Sequence, residues 1–156
     1  MKIIGSVKED LAVEKRISIT PETVKKLIDL KFSVFLEKNY GDHLGISDEE
    51  FKNKGANLYG SAKEVLEKSE IILKVNCPSS EQINAIKNKS ILIGQFNPFS
   101  NKEIINKLIK KDNKIFYAGN VLLFHVLRQS TIGAEGLDFR VRNGSGYGPF
   151  AIITGM

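Results

Sequence analysis

Two histidines, one cysteine and a glycine-rich stretch near the C-terminus are the residues to which enzyme chemistry attaches most readily. His43 lies in Asn39-Tyr40-Gly41-Asp42-His43, a polar stretch that predicts a surface loop. His125 stands among Leu122, Leu123, Phe124, Val126 and Leu127, so a buried or half-buried ring is expected there rather than a general base. Cys77 precedes Pro78 with no second cysteine and no adjacent histidine to hold it as a thiolate. The same scarcity rules out an internal disulfide and argues against a zinc site, so no metal is expected. Gly144-Ser145-Gly146-Tyr147-Gly148 runs at once into Pro149. That pattern predicts a turn, because a phosphate loop must open onto a helix and leave room for a second strand.

The chain as a whole frames these residues. Its 156 residues are one domain's worth, with 42% hydrophobic and 26% charged residues, an ordinary balance for a globular protein. No stretch approaches the roughly 20 apolar residues of a membrane helix. Met1-Lys2-Ile3-Ile4-Gly5 leads straight into charged residues, so no signal-peptide core is expected and a cytoplasmic location is. The net charge of +5 raises the question of nucleic acid. Lysines interleaved with glutamates between Ser61 and Lys68 describe a solvated helix face instead, and no aromatic–basic alternation is present to stack bases. No nucleic-acid partner is expected.

Composition changes along the chain. Every lysine lies at or before Lys114, whereas Arg128, Arg140 and Arg142, three of the four arginines, lie after it. Seven of the 13 glycines fall within the last 38 residues. The expected division is therefore a domain over residues 1–118 and a divergent tail over 119–156.

Within the first of these, short apolar runs alternate with amphipathic segments. Strands are predicted at Lys2–Ser6, Ser33–Glu37, Glu70–Val75, Ser90–Gln95 and Lys114–Ala118, with a further short one in Gly55–Tyr59. Thr20-Pro21-Glu22 opens a helix with a capping hydroxyl, a proline where no amide hydrogen is needed, and an early carboxylate. Ser47…Glu50, Ser61…Glu64, Ser79…Gln82 and Ser100…Glu103 read as capping boxes. Strands alternating with helices imply an α/β layered domain, Rossmann-like or flavodoxin-like, with a mainly parallel sheet.

Three stretches are more specific: Val7-Lys8-Glu9 with Glu14-Lys15-Arg16-Ile17-Ser18-Ile19-Thr20-Pro21-Glu22, then Ser69 through Pro78, then Leu92 through Ile104. Together, in order and in register over residues 1–118, they resemble the N-terminal domain shared by alanine dehydrogenases and the alpha subunit of NAD(P) transhydrogenase. The third stretch distinguishes the branches. Alanine dehydrogenases are similar to Leu-His after this strand, whereas Phe96-Asn97-Pro98 with Asn101 and Glu103 resembles the transhydrogenase pattern, its proline displaced by one residue. The resemblance implies that Arg16 and Lys74 match residues that hold the carboxylate and carbonyl of an oxo acid in the dehydrogenase relatives. Read as residues alone, Arg16 pairs with Glu14 or Glu9, and Lys74 is a strand lysine whose ammonium reaches solvent. In a transhydrogenase setting these structural roles are the favoured ones.

The resemblance also implies hydride transfer between NAD(H) and NADP(H), coupled to proton movement by a membrane-embedded partner. The expected partners are the remaining transhydrogenase domains or subunits, with a homodimer as a further expectation and a place at the cytoplasmic face of the inner membrane through those partners. The family's cofactor-holding Rossmann domain and its Arg…Gln…Asp loop are not matched. Val121 through Thr131 stands where that loop belongs, and adjacent Arg128-Gln129 does not reproduce its spacing. With permissible codons, Phe124 to Thr131 read one base earlier gives Ser-Arg-Ala-Gln-Thr-Ile-Asp, close to the family's loop, so a shifted reading frame is one expectation for the tail. The chain alone is expected to be inactive and to bind neither nucleotide tightly. The competing expectations are a non-catalytic oligomeric scaffold with an interface at Val121–Leu127, the remnant of a decayed gene, or a fragment of an alanine dehydrogenase.

Overall fold

A computed structural model describes residues 2–118, 137–142 and 150–155. Six strands run parallel: β1 (Ile3–Ser6), β2 (Ser33–Glu37), β3 (Asn57–Tyr59), β4 (Ile71–Leu73), β5 (Ile91–Gly94) and β6 (Lys114–Ala118). Between them lie α1 (Pro21–Asp29), α2 (Asp48–Asn53), α3 (Ala62–Lys68), α4 (Ser80–Ala85) and α5 (Lys102–Lys110). The strand order β3-β2-β1-β4-β5-β6 decides between the two expected topologies. It is the Rossmann order, in which the direction of winding reverses between β1 and β4. Beyond β6 the sheet continues with β7 (Leu137–Arg142) and β8 (Phe150–Gly155), β8 antiparallel to both β6 and β7. No described helix is long and apolar enough to cross a membrane.

The reversal places apolar layers on both faces. Because successive strand residues point to opposite faces, Ile72 of β4 joins one cluster while Ile71 and Leu73 pack on the other. One cluster gathers Val65 and Leu66 of α3, Ile83 of α4, and Ile105 and Leu108 of α5 over Leu92 and Ile115. The opposite cluster brings Val24 of α1 and Phe51 of α2 onto Ile4, Val34 and Leu36.

Helix starts follow local chemistry with one exception. Thr20 accepts from the Thr23 amide ahead of Pro21, and the boxes at Ser47/Glu50 and Ser79/Gln82 are complete. Ser61 accepts from the Glu64 amide without the reciprocal bond to its own amide. Ser100…Glu103 is a correction. Asn97, at φ 37°, accepts the Ser100 and Asn101 amides in a tight turn, so the helix starts one residue later, with Asn101 at the cap. The Asn101 side-chain amide donates to the Phe96 and Asn97 carbonyls and caps nothing.

The 14 residues linking β1 to α1 are fastened by Tyr40, whose ring is buried just after β2. Its hydroxyl accepts the amides of Ser18 at 3.0 Å and Ile19 at 3.3 Å, and lies 2.7 Å from Ser6 Oγ. Ser6 spends its only hydroxyl proton on the Leu73 carbonyl at 2.7 Å, so Tyr40 donates to Ser6. One phenol thus joins the end of β1, the start of α1 and the end of β2. Tyr40→Phe leaves two amides without an acceptor, and we expect a loss of about 1–3 kcal/mol, measured as a lower urea midpoint at unchanged slope.

Candidate functional site

In a sheet of this winding, ligands bind outside the carboxyl ends of the strands where the order reverses. Here that position is the crevice above β1 and β4. The chain leaving β1 carries Lys8 and Glu9 past it, and the chain leaving β4 carries Lys74.

Lys74 and Glu9 meet across this crevice. The ammonium donates to Glu9 Oε2 at 2.9 Å and to the Lys8 carbonyl at 3.3 Å. The other carboxylate oxygen accepts the Val75 amide at 2.7 Å. The two side chains are only 3% and 4% exposed. The expectation that the Lys74 ammonium reaches solvent is therefore corrected. A carboxylate on the loop just past β1 neutralises it, and the pair is sealed from water. The Lys74 amide continues the ladder to the Ile93 carbonyl, which fixes its backbone beside β5.

Arg16 lies nearby on the same loop and pairs with Glu14, one of the two partners expected. Nε donates to Oε1 at 2.9 Å and Nη2 to Oε2 at 2.7 Å, a two-pronged geometry, and the Arg16 amide adds a third bond at 2.9 Å. These hydrogen bonds from the Arg16 side chain and amide lower the Glu14 carboxyl from 4.5 to about 2. Nη2 also reaches Gln95 Oε1, at 3.2 Å, just after β5. Arg16 and Lys74 thus sit at one edge of the sheet, each already engaged by a carboxylate of the chain. They differ in access, since the Arg16 side chain is 63% exposed.

The remaining expected residues take other roles. His43, exposed on a short 3-10 turn (Asp42–Leu44), places Nε2 2.8 Å from the Lys15 carbonyl, so that nitrogen carries the proton and ties the turn to the β1 loop. Cys77 donates Sγ to the Phe96 carbonyl at 3.1 Å. Burial pushes its thiol up to about 12, which leaves it protonated and unreactive at neutral pH. Phe96 is fully buried, and Gln95-Phe96-Asn97-Pro98 brings no histidine to the crevice. No group of three metal-ligating side chains forms among the described residues. His125, Arg128, Gln129, the apolar run Val121–Leu127 and the stretch Gly144–Pro149 lie outside the described residues. Sequence reasoning missed that Glu9 belongs to Lys74 and that Gln95 extends the Arg16 pair. Both follow from the adjacency of β1, β4 and β5, which no local pattern encodes.

Comparison with known proteins agrees with this geometry. The family model described as alanine dehydrogenase/PNT, N-terminal domain, matches residues 5–121. The NAD(P) transhydrogenase subunit alpha of Haemophilus influenzae is 34% identical over 109 residues, covering 70% of this chain and 21% of the relative. An NAD(P) transhydrogenase subunit alpha polypeptide of Rickettsia prowazekii is 34% identical over 121 residues, covering 74% and 31%. The crystal structure of transhydrogenase from Sinorhizobium meliloti superposes with a TM-score of 0.70 at 30% identity, covering 75% of this chain and 35% of that one. The chain thus spans between about a fifth and a third of the length of these relatives. On the match over residues 5–121 and these similarities, the chain belongs to the alanine dehydrogenase/PNT N-terminal domain family.

Proposed function

We propose that residues 1–118 serve as the N-terminal domain of the alpha subunit of a proton-translocating NAD(P) transhydrogenase, acting beside a separate nucleotide-holding domain. The reaction of the whole enzyme is hydride transfer between NAD(H) and NADP(H), with the proton carried by a membrane-embedded partner. The chain's role is to present a rigid crevice edge to the nucleotide-holding domain. One observation carries this reading over an oxo-acid dehydrogenase: Lys74, the residue that would polarise a substrate carbonyl, is buried under Glu9 and the Lys8 carbonyl. The histidine-free loop after β5 supports it, since proton transfer near neutral pH has no imidazole there.

The residues present do not fit a dinucleotide. In a Rossmann nucleotide site a tight glycine turn joins the first strand directly to a helix whose open N-terminus receives the pyrophosphate. Here that link is 14 residues long and carries Glu9, Asp10 and Glu14. The N-terminus of α1 is closed by the Thr20 hydroxyl and by Pro21, which has no N–H to offer. A phosphate would meet carboxylates, so NAD(H) and NADP(H) are assigned to partner domains and no step is placed on this chain. We place the domain boundary near residue 118, supported by the composition break after Lys114 and by the family match ending at residue 121. Antiparallel pairing of β8 onto β6 weighs against a wholly frame-shifted tail.

The test is titration of the purified chain with pyruvate and with NADH, followed by nicotinamide fluorescence and backbone NMR. Neither ligand is expected to bind more tightly than about 1 mM, an affinity of about −4 kcal/mol. Adding the Haemophilus alpha subunit trimmed of its matching segment should give a complex that binds NADH. Sub-millimolar pyruvate binding would return the chain to the dehydrogenase branch, and NADH binding by the chain alone would overturn the division of labour. A second expectation concerns acid. Because folding lowers the Glu14 carboxyl to about 2, its stabilisation is present above about 4.5 and lost as pH falls toward 2. Stability measured by urea should fall across that interval, and less steeply in Arg16→Gln.

A further inference from the structure

The sheet edge opposite the crevice collects lysine. All six parallel strands start there, and their ladder bonds run along it: the Ser33 amide to Lys2, Glu70 to Ile3, Ile91 to Glu70, and Lys114 to Ser90. Lys2, Lys31, Lys54, Lys87, Lys89 and Lys114 all stand exposed at this edge, in the strand entries or in the turns before them. Among the described residues Lys54 lies near the Glu22 carboxylate and Lys87 donates to the Lys68 carbonyl at 2.9 Å, which leaves Lys2, Lys31, Lys89 and Lys114 without a partner for their charge. The ion pairs among the described residues use Lys8, Arg16, Lys63 and Lys74, and none uses an edge lysine. The acidic residues of the edge are Asp29, Glu67, Glu70 and Asp112, of which Glu67 pairs with Lys63 and Glu70 accepts the Ile3 amide at 3.1 Å.

Helix dipoles do not account for this. A lysine in a last helical turn answers the dipole, but Lys2, Lys89 and Lys114 lie outside helices. Lys111 and Lys87 show what a structural lysine at this edge looks like, since the Lys111 ammonium is spent on the carbonyls of Ile83, Asn84 and Ile86 at the end of α4, and that of Lys87 on the Lys68 carbonyl at the end of α3.

We propose that this edge is a docking surface for an anionic phospholipid bilayer. Three features favour a lipid surface over an acidic protein. The four free lysines stand at the starts of β2, β1, β5 and β6, about 19 Å along the edge at the usual strand spacing, and Lys2 and Lys89 line a shallow hollow of about 320 Å³. All the cations are lysines, point charges suited to diffuse attraction. Arg16, the arginine of residues 2–118, stands at the opposite edge. Leu30, 68% exposed, stands beside Lys31 at the end of α1, giving the edge an apolar residue that can enter the headgroup layer. Basic clusters on a protein surface are drawn to anionic leaflets by such charges, within a screening length. The inference is independent of the hydride-transfer reading.

The test is co-sedimentation of the full chain with vesicles of phosphatidylcholine alone or of equal amounts of phosphatidylcholine and phosphatidylglycerol. Binding is expected only to the anionic vesicles, and should be lost when salt rises from about 0.1 M to about 1 M, which shortens screening from about 10 to about 3 Å. Replacing Lys2, Lys31, Lys89 and Lys114 by Gln should weaken binding by about six-hundredfold, at about fivefold per lysine. Replacing Lys15, Lys38, Lys63 and Lys102, exposed lysines toward the opposite edge, removes the same net charge and should leave binding within about threefold, with circular dichroism unchanged in both variants. Leu30→Ser, which leaves the charge unchanged, should also weaken binding at about 0.1 M salt. Equal loss in the two quadruple variants would reduce the effect to net charge and overturn the proposal. Failure to bind anionic vesicles would also overturn it. Capture of an acidic polypeptide without vesicle binding would reassign the edge to a protein partner.

Discussion

The Glu9–Lys74 pair is the interaction on which the crevice depends. Winding reversal leaves a gap above β1 and β4 that no described helix fills, and the long β1 loop must cross it in one conformation. Glu9 grips that loop to the end of β4 through the Lys74 ammonium and the Val75 amide together. Burying two charges costs several kcal/mol per ion, and their attraction offsets this only when the remaining hydrogen-bonding capacity is met. Here both carboxylate oxygens are engaged, and the ammonium has the Lys8 carbonyl as a second acceptor. Such a pair adds little net stability, but it selects one loop path, because any other path leaves a buried charge unpaired.

Close packing around the pair enforces the same path. Gly94, at the end of β5, approaches the Lys74 carbonyl so closely that a Cβ would collide with its oxygen and stand 2.7 Å from the Phe96 ring. The colliding atom is backbone and cannot swing away. Phe96 in turn covers the Cys77 thiol, which bonds its carbonyl. With Tyr40 securing the other end of the loop, the Arg16–Glu14 fork is held at the crevice mouth. The result is a preformed edge whose two cations are each already paired with a carboxylate of the chain.

Much of this is legible in the sequence, and the boundary of legibility is physical. Thr20-Pro21-Glu22 announces α1 because its chemistry acts within one turn, and the Ser47 and Ser79 boxes are local for the same reason. Ser100…Glu103 carries the same pattern and fails, because Asn97 adopts a left-handed conformation and draws the Ser100 and Asn101 amides into a turn first. The strands are readable as apolar runs, but their order is not, since pairing between β1 and β4 joins residues more than 60 apart. Everything resting on that pairing is out of reach of local patterns. This is why Lys74 reads as a solvated strand lysine and why Glu9 is set beside Arg16 by sequence proximity.

The central claim is that the Glu9–Lys74 contact holds the β1 loop over the switch point, and a double-mutant cycle tests it most directly. Glu9→Gln keeps an acceptor for the Val75 amide while leaving the buried ammonium unanswered. Lys74→Met removes that ammonium, and the double variant removes both charges. Urea unfolding should show Glu9→Gln costing about 3–5 kcal/mol. The double variant should recover much of that loss, with a coupling of about 2 kcal/mol or more. A cost below about 0.5 kcal/mol for Glu9→Gln, with the two changes simply additive, would mean that the pair does not hold the loop.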